Sequence, residues 1–73
     1  MAMKCKYSDP DPGQDGTRTA YIISDAQPTS TDGKDIENFP DGSTVSFGSI
    51  CEDIAHDKKY KVGLDGDWHE VTI

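Results

Sequence analysis

Asp65-Gly66 stands between two alternating runs, Lys-Tyr-Lys-Val-Gly-Leu over 59–64 and Asp-Trp-His-Glu-Val over 67–71. This is a strong hairpin signal, because a two-residue type I′ turn needs positive φ that Asp and Gly tolerate. With Asp65-Gly66 as the loop, Leu64 faces Asp67, Val62 faces His69 and Tyr60 faces Val71. Tyr60, Val62, Leu64, Val71 and Ile73 then share one side, the pattern of a core. Lys61 pairs with Glu70 on the other side as a favourable cross-strand charge pair. Trp68, the single tryptophan, falls on that second side opposite Gly63. A slip to an Asp65-Gly66-Asp67 loop brings Trp68 beside Leu64 but turns Val71 and Ile73 away, so the first register is preferred.

The rest of the chain reads the same way. Met3-Lys4-Cys5-Lys6-Tyr7 alternates, and residues 17–24 (TRTAYIIS) are rich in β-branched and aromatic residues. Residues 8–16 and 25–35 are surface loops, dense in Pro, Gly, Asp, Ser and Thr, with Ile36 and Phe39 pinning the second to the core. Strands are expected over 43–47, 50–55, 59–64 and 67–73. Residues 50–58 also carry a helical reading, because Ser49 and Glu52 match a capping box. Alternation of Ile50, Glu52 and Ile54 favours strand. The expectation is one all-β domain spanning residues 1–73, a small antiparallel meander or sandwich-like fold of five or six short strands. Its core is expected to hold Tyr21, Ile23, Val45, Phe47, Ile50, Ile54, Tyr60, Val62, Leu64, Val71 and Ile73.

A chain of 73 residues builds a thin core, and the 33% hydrophobic content and mean hydropathy of −0.71 agree. Domains of this size lean on staples or on association, so a homo-oligomer or a docked module is expected. The net charge of −7 argues against direct binding of nucleic acid or anionic membrane, which require a positive footprint. No apolar run is long enough to span a bilayer, and MAMKCKYSD has no apolar stretch after its lysines, so a cytoplasmic location is expected. Cys5 and Cys51 are too few for a disulfide framework and read as buried thiols.

Reaction chemistry is not evident. His56 and His69 lack the partners and spacing of a zinc site. Residues 9–16 look like a calcium loop by their acids, but the glycine falls one place late and no glutamate closes it. GQDGTR has neither the spacing nor the lysine of a phosphate loop. Cys51 has no histidine brought to it by sequence, so no catalytic residue, metal or cofactor is assigned. Two readings of Trp68 stand: it covers Gly63 and the far side of a two-faced sheet, or it lies exposed at a protein interface, the candidate site, with Trp68 as anchor and Lys59, Lys61 and Glu70 as polar rim.

From residue 42 onward the chain resembles small accessory proteins of the virions of tailed bacteriophages and prophages. The resemblance rests on Gly48-Ser49, the apolar strand after it, the polar turn His56-Asp57-Lys58, Tyr60 opening the next strand and Trp68 after a second turn. STDGKD ahead of FPDGST is similar to the linkers of those proteins. The resemblance implies a non-enzymatic virion component of capsid or tail, of decoration or head-fibre type. Its partners would be other virion proteins or itself, and its place the bacterial host cytoplasm or the particle. The alternative is a phage-encoded inhibitor of a host defence protein, acting as an acidic mimic of nucleic acid or by sequestering a nucleotide signal.

Overall fold

The computed structural model describes residues 3–71 except 14 and 15. Seven strands form one sheet: β1 (Met3–Pro10), β2 (Thr17–Ser24), β3 (Ile36–Glu37), β4 (Thr44–Val45), β5 (Ile50–Asp53), β6 (Lys58–Val62) and β7 (Trp68–Glu70). A 3-10 turn at Gly33–Asp35 is the helical element among the described residues. The fold is all-β, and residues 50–58 form strand, turn and strand rather than helix. Ile73 lies outside the described residues.

The sheet order is β3-β1-β2-β5-β6-β7, with β4 paired to β2 off this path. The sheet is mixed, which corrects the expected antiparallel meander. Only β5-β6-β7 is one; β4 and β5 both run parallel to β2, and β3 parallel to β1. Parallel pairing needs a crossover, and residues 25–43 supply it by passing over one face of the sheet.

That strap decides which side is the core. Ile36 and Phe39 within it are buried against Met3, Cys5, Ala20, Ile22, Val45, Cys51, Tyr60 and Val62. Ile22 sits at the centre of one cross-strand row, Cys5–Ile22–Cys51–Tyr60. Trp68 packs against this cluster as a partly buried member. Hydrogen bonds tie the strap to the sheet and close it on itself. The Trp68 indole Nε1 donates to the Ser30 carbonyl at 2.9 Å, and Asn38 Nδ2 donates to the Cys5 carbonyl at 3.2 Å. The Val45 N–H donates to the Thr31 carbonyl at 2.9 Å, and the Gly33 N–H to the Ser43 carbonyl at 2.8 Å.

Several expected core residues face away from it. Tyr21, Ile23 and Ile50 are only partly buried, because β2 and β5 turn Ala20, Ile22, Ser24, Cys51 and Asp53 inward instead. Phe47 is 54% exposed, Ile54 64%, Leu64 90% and Val71 36%. Val45, Tyr60 and Val62 are buried as expected.

The hairpin register is displaced by one residue, and the cause is the turn. Gly66 has φ of +83°, while the non-glycine residues at positive φ are Asn38 and Asp57, so Asp65 does not adopt the type I′ conformation. The loop is Leu64-Asp65-Gly66: the Gly66 N–H donates to the Gly63 carbonyl and the Gly63 N–H to the Asp67 carbonyl, both at 3.0 Å. This is the three-residue loop that closes on a left-handed glycine. Val62 then faces Trp68, Lys61 faces His69 and Tyr60 faces Glu70. Shifting one strand by one residue exchanges its faces, so Trp68 joins the core side and Val71 leaves it. Gly66→Val should cost roughly 1–2 kcal/mol in urea melts, the price of a left-handed L-residue. A loss within about 0.5 kcal/mol, the ordinary surface range, would contradict this turn.

Candidate docking face

The strap covers one face of the sheet and leaves the other open. Two rows cross the open face. One is Tyr7–Tyr21–Ile50–Lys61–His69. The other is Glu37–Lys4–Ile23–Glu52–Lys59. The Val71 N–H donates to the Lys59 carbonyl at 2.8 Å and carries this second row onto the last strand.

The first row owes its shape to a bulge. The β1–β2 register shifts between Cys5 and Tyr7, so Cys5 points inward opposite Ile22 while Tyr7 points outward opposite Tyr21. The two tyrosine rings stack with centroids 5.5 Å apart and an interplanar angle of 30°. Tyr7 remains 68% exposed. Partial desolvation, followed by the hydrogen bond and charge of Glu52, raises the Tyr21 phenol pKa above its ordinary value. At one end of the face, Phe47, Lys61, Gly63, Leu64, His69 and Val71 line an open, mostly apolar groove of about 560 Å³. The exposed Phe47, Leu64 and Val71 are thus gathered around one depression rather than scattered.

The charged cross-strand positions of this face are mixed: Lys4, Lys59 and Lys61 stand with Asp9, Glu37 and Glu52. The chain as a whole holds 14 acids and 7 bases, and the Asp11 and Asp65 carboxylates reach the margin of the face at Thr19 and His69. Lys59 reaches Glu52 at 3.9 Å within the face.

The four residues expected to form an interface are not brought together. Lys59 and Lys61 project from the open face, both exposed. Trp68 and Glu70 belong to the opposite side of the ribbon, opposite Val62 and Tyr60. Glu70 reaches Lys58 at 3.8 Å. Trp68 is a clamp on the strap, which corrects its expected place beside Gly63. Trp68→Phe should therefore lower stability by about 1 kcal/mol, the worth of one ordinary hydrogen bond, and leave association unchanged. Denaturant melts and light scattering of the same sample read both quantities. Sequence reasoning missed Tyr7 because a single-residue bulge leaves no signal in an alternating run, and Tyr21 because both phases of TRTAYIIS are apolar.

The other chemistry-bearing groups are already engaged. Asp53, buried inside the 54–57 turn, accepts from the Ala55 and His56 N–H groups at 3.1 Å and meets His56 Nδ1 at 2.8 Å. Both Asp65 oxygens lie 3.0 Å from His69 Nε2. The Asp67 N–H, then His69, hold the Asp65 carboxyl below its usual range. Cys5 and Cys51 are free, buried and separated by the Ile22 strand, and burial pushes both thiols up. Two strand spacings exceed the reach of a disulfide. Among the described residues, no group of three or more His, Cys, Asp or Glu side chains is placed to hold a metal. No helix among them is long and apolar enough to cross a membrane. Comparison of the chain with family models, curated proteins and solved structures finds no match.

Proposed function

We propose that the protein is a non-enzymatic interaction module that docks through the open face of its sheet. The observation that carries this reading is the exposed, stacked Tyr7–Tyr21 pair in one row with Ile50 and beside Ile23, uncovered at the middle of the face. A surface intended only for solvation has no reason to gather aromatic and aliphatic side chains, whereas interface centres are enriched in aromatic side chains. Tyr7, Tyr21, Ile23 and Ile50 supply the apolar centre, and Lys4, Lys59, Lys61, Glu37 and Glu52 the polar surround. The context we assign is a minor accessory component of a phage particle, in line with the resemblance over residues 42–73. The histidines engaged by their own turn carboxylates and the buried thiols support a binding role over catalysis.

Mass spectrometry of purified particles tests the assignment. The protein is expected at fixed copy number, and Tyr7→Glu should deplete it from the particle without changing its melting curve. A second reading, inhibition of a host protein by an acidic surface, is favoured by the excess of 14 acids over 7 bases. It gains if the protein is absent from particles and binds a basic host protein regardless of Tyr7→Glu.

A further inference from the structure

We infer that the occupant of the open face is a second copy of this chain, stacked face to face as a two-fold dimer. The inference rests on the docking reading above and names the partner.

Three observations lead to it. First, the cross-strand positions of the face mix three lysines with three acids, so two copies bring together surfaces without a block of like charge, while most of the 14 acids lie off these positions. At physiological salt the Debye length is about 8 Å, less than the spacing of about 10 Å between two stacked sheets, so the remote acids are largely screened. Second, the size suits a modest contact. The two long Cα extents of 34 and 22 Å limit the projected face to at most roughly 750 Å² per copy, below the ~800 Å² per partner of a standard interface, so the dimer is a weak one that forms at high concentration. Third, the first of the two rows is self-complementary. The central pair of strands in the order β1-β2-β5-β6 is β2 and β5. A two-fold axis parallel to the strands and midway between them sets β2 of one copy over β5 of the other, and β1 over β6.

In that arrangement the row Tyr7–Tyr21–Ile50–Lys61 lies reversed on its own copy. Tyr21 of each copy meets Ile50 of the other, forming the apolar centre. Tyr7 of each meets Lys61 of the other, a cation over an aromatic face. In the second row Lys4 approaches Lys59, but each brings its own carboxylate: Glu37 is the cross-strand neighbour of Lys4, and Glu52 lies 3.9 Å from Lys59. The product is a two-sheet sandwich in which each copy completes the unfinished face of the other. An isologous contact of this kind closes at two, so no larger assembly is built by it.

Light scattering on size-exclusion fractions, followed by sedimentation equilibrium up to millimolar protein, measures the inference. The wild-type chain should move with concentration from 8.0 kDa to twice that mass. Lys61→Glu and Tyr7→Glu should each weaken the dimer by about tenfold or more. Asp35→Lys, on the strap side, should leave it unchanged. Circular dichroism melts verify that each variant is folded, and both substituted side chains are exposed in the monomer. A wild-type chain that stays monomeric at millimolar concentration overturns the inference. The docking reading then survives only if Tyr7→Glu still removes the protein from particles. If neither association nor particle content responds to the variants, both fail. A dimer untouched by Lys61→Glu and Tyr7→Glu uses another surface and overturns the inference equally.

Discussion

Val62→Asp should leave an unfolded chain, while Leu64→Asp, two residues along, should leave a folded one. Val62 is 1% exposed and stands opposite Trp68 in the innermost row of the β6–β7 pair. A carboxylate there would be surrounded by Tyr60, Trp68 and the strap, with no cation facing it from the core cluster. The effective penalty of an unpaired buried ion is several kcal/mol even after relaxation. A domain of this length has roughly 4–11 kcal/mol in total, so the substitution removes most or all of it. Leu64 is 90% exposed at the loop tip, and a charge there should change stability by no more than about 0.5 kcal/mol. Far-ultraviolet circular dichroism and urea melts at one temperature compare the pair. A cooperative melt of Val62→Asp near that of the parent would mean that Val62 is not enclosed as the structure has it.

The same pair shows what the sequence could and could not disclose. Alternation over residues 59–71 marks strands on both sides of Asp65-Gly66, and β6 and β7 are where it places them. The phase of β7 depends on whether Asp65 or only Gly66 takes positive φ, and Asp-Gly is compatible with both loops. That single torsion carries Trp68 from one face to the other and Val71 with it. TRTAYIIS has a related ambiguity: Tyr21 and Ile23 occupy one phase, Ala20 and Ile22 the other, and both phases are apolar. Which is core is settled by the strap, whose buried Ile36 and Phe39 lie in a stretch without period. A sheet with one covered face and one open face therefore looks two-faced in sequence, and the pattern points to the open-face residues as the core. Tyr21, Ile23 and Ile50 have the composition of an interior although the strap does not cover them. The parallel β2–β5 pairing was illegible for a different reason: it joins segments far apart in the chain, and no local pattern encodes which strand a crossover will meet.

Gly33→Ala should cost about 3 kcal/mol, the upper end of ordinary overpacking, although glycine-to-alanine changes at unstrained sites usually stabilise by about 0.4–1 kcal/mol. A Cβ on Gly33 would lie 2.5 Å from the Ser43 carbonyl oxygen, 2.7 Å from the Phe39 ring and 2.8 Å from the Pro40 carbonyl oxygen. Phe39 could rotate, but the two oxygens cannot give way cheaply. The Ser43 oxygen accepts the Gly33 N–H at 2.8 Å, and the Pro40 oxygen accepts the Ser43 N–H at 3.3 Å. Asp32 on one side is bridged to Thr44 and caps the 3-10 turn through the Lys34 N–H at 3.1 Å. All three contacts lie within the strap, so the added methyl is accommodated only if the strap opens at this crossing, which disturbs the packing of Ile36 and Phe39 and the Ser30 contact with the Trp68 indole. Trp68, as the single tryptophan, reports this directly: its emission should shift to the red while the strand signal in circular dichroism persists at low temperature. Urea melts give the magnitude. An alanine variant with the parent's emission maximum and a stability within about 0.5 kcal/mol of it would show that the crossing at Gly33 is looser than the 2.5 Å approach demands.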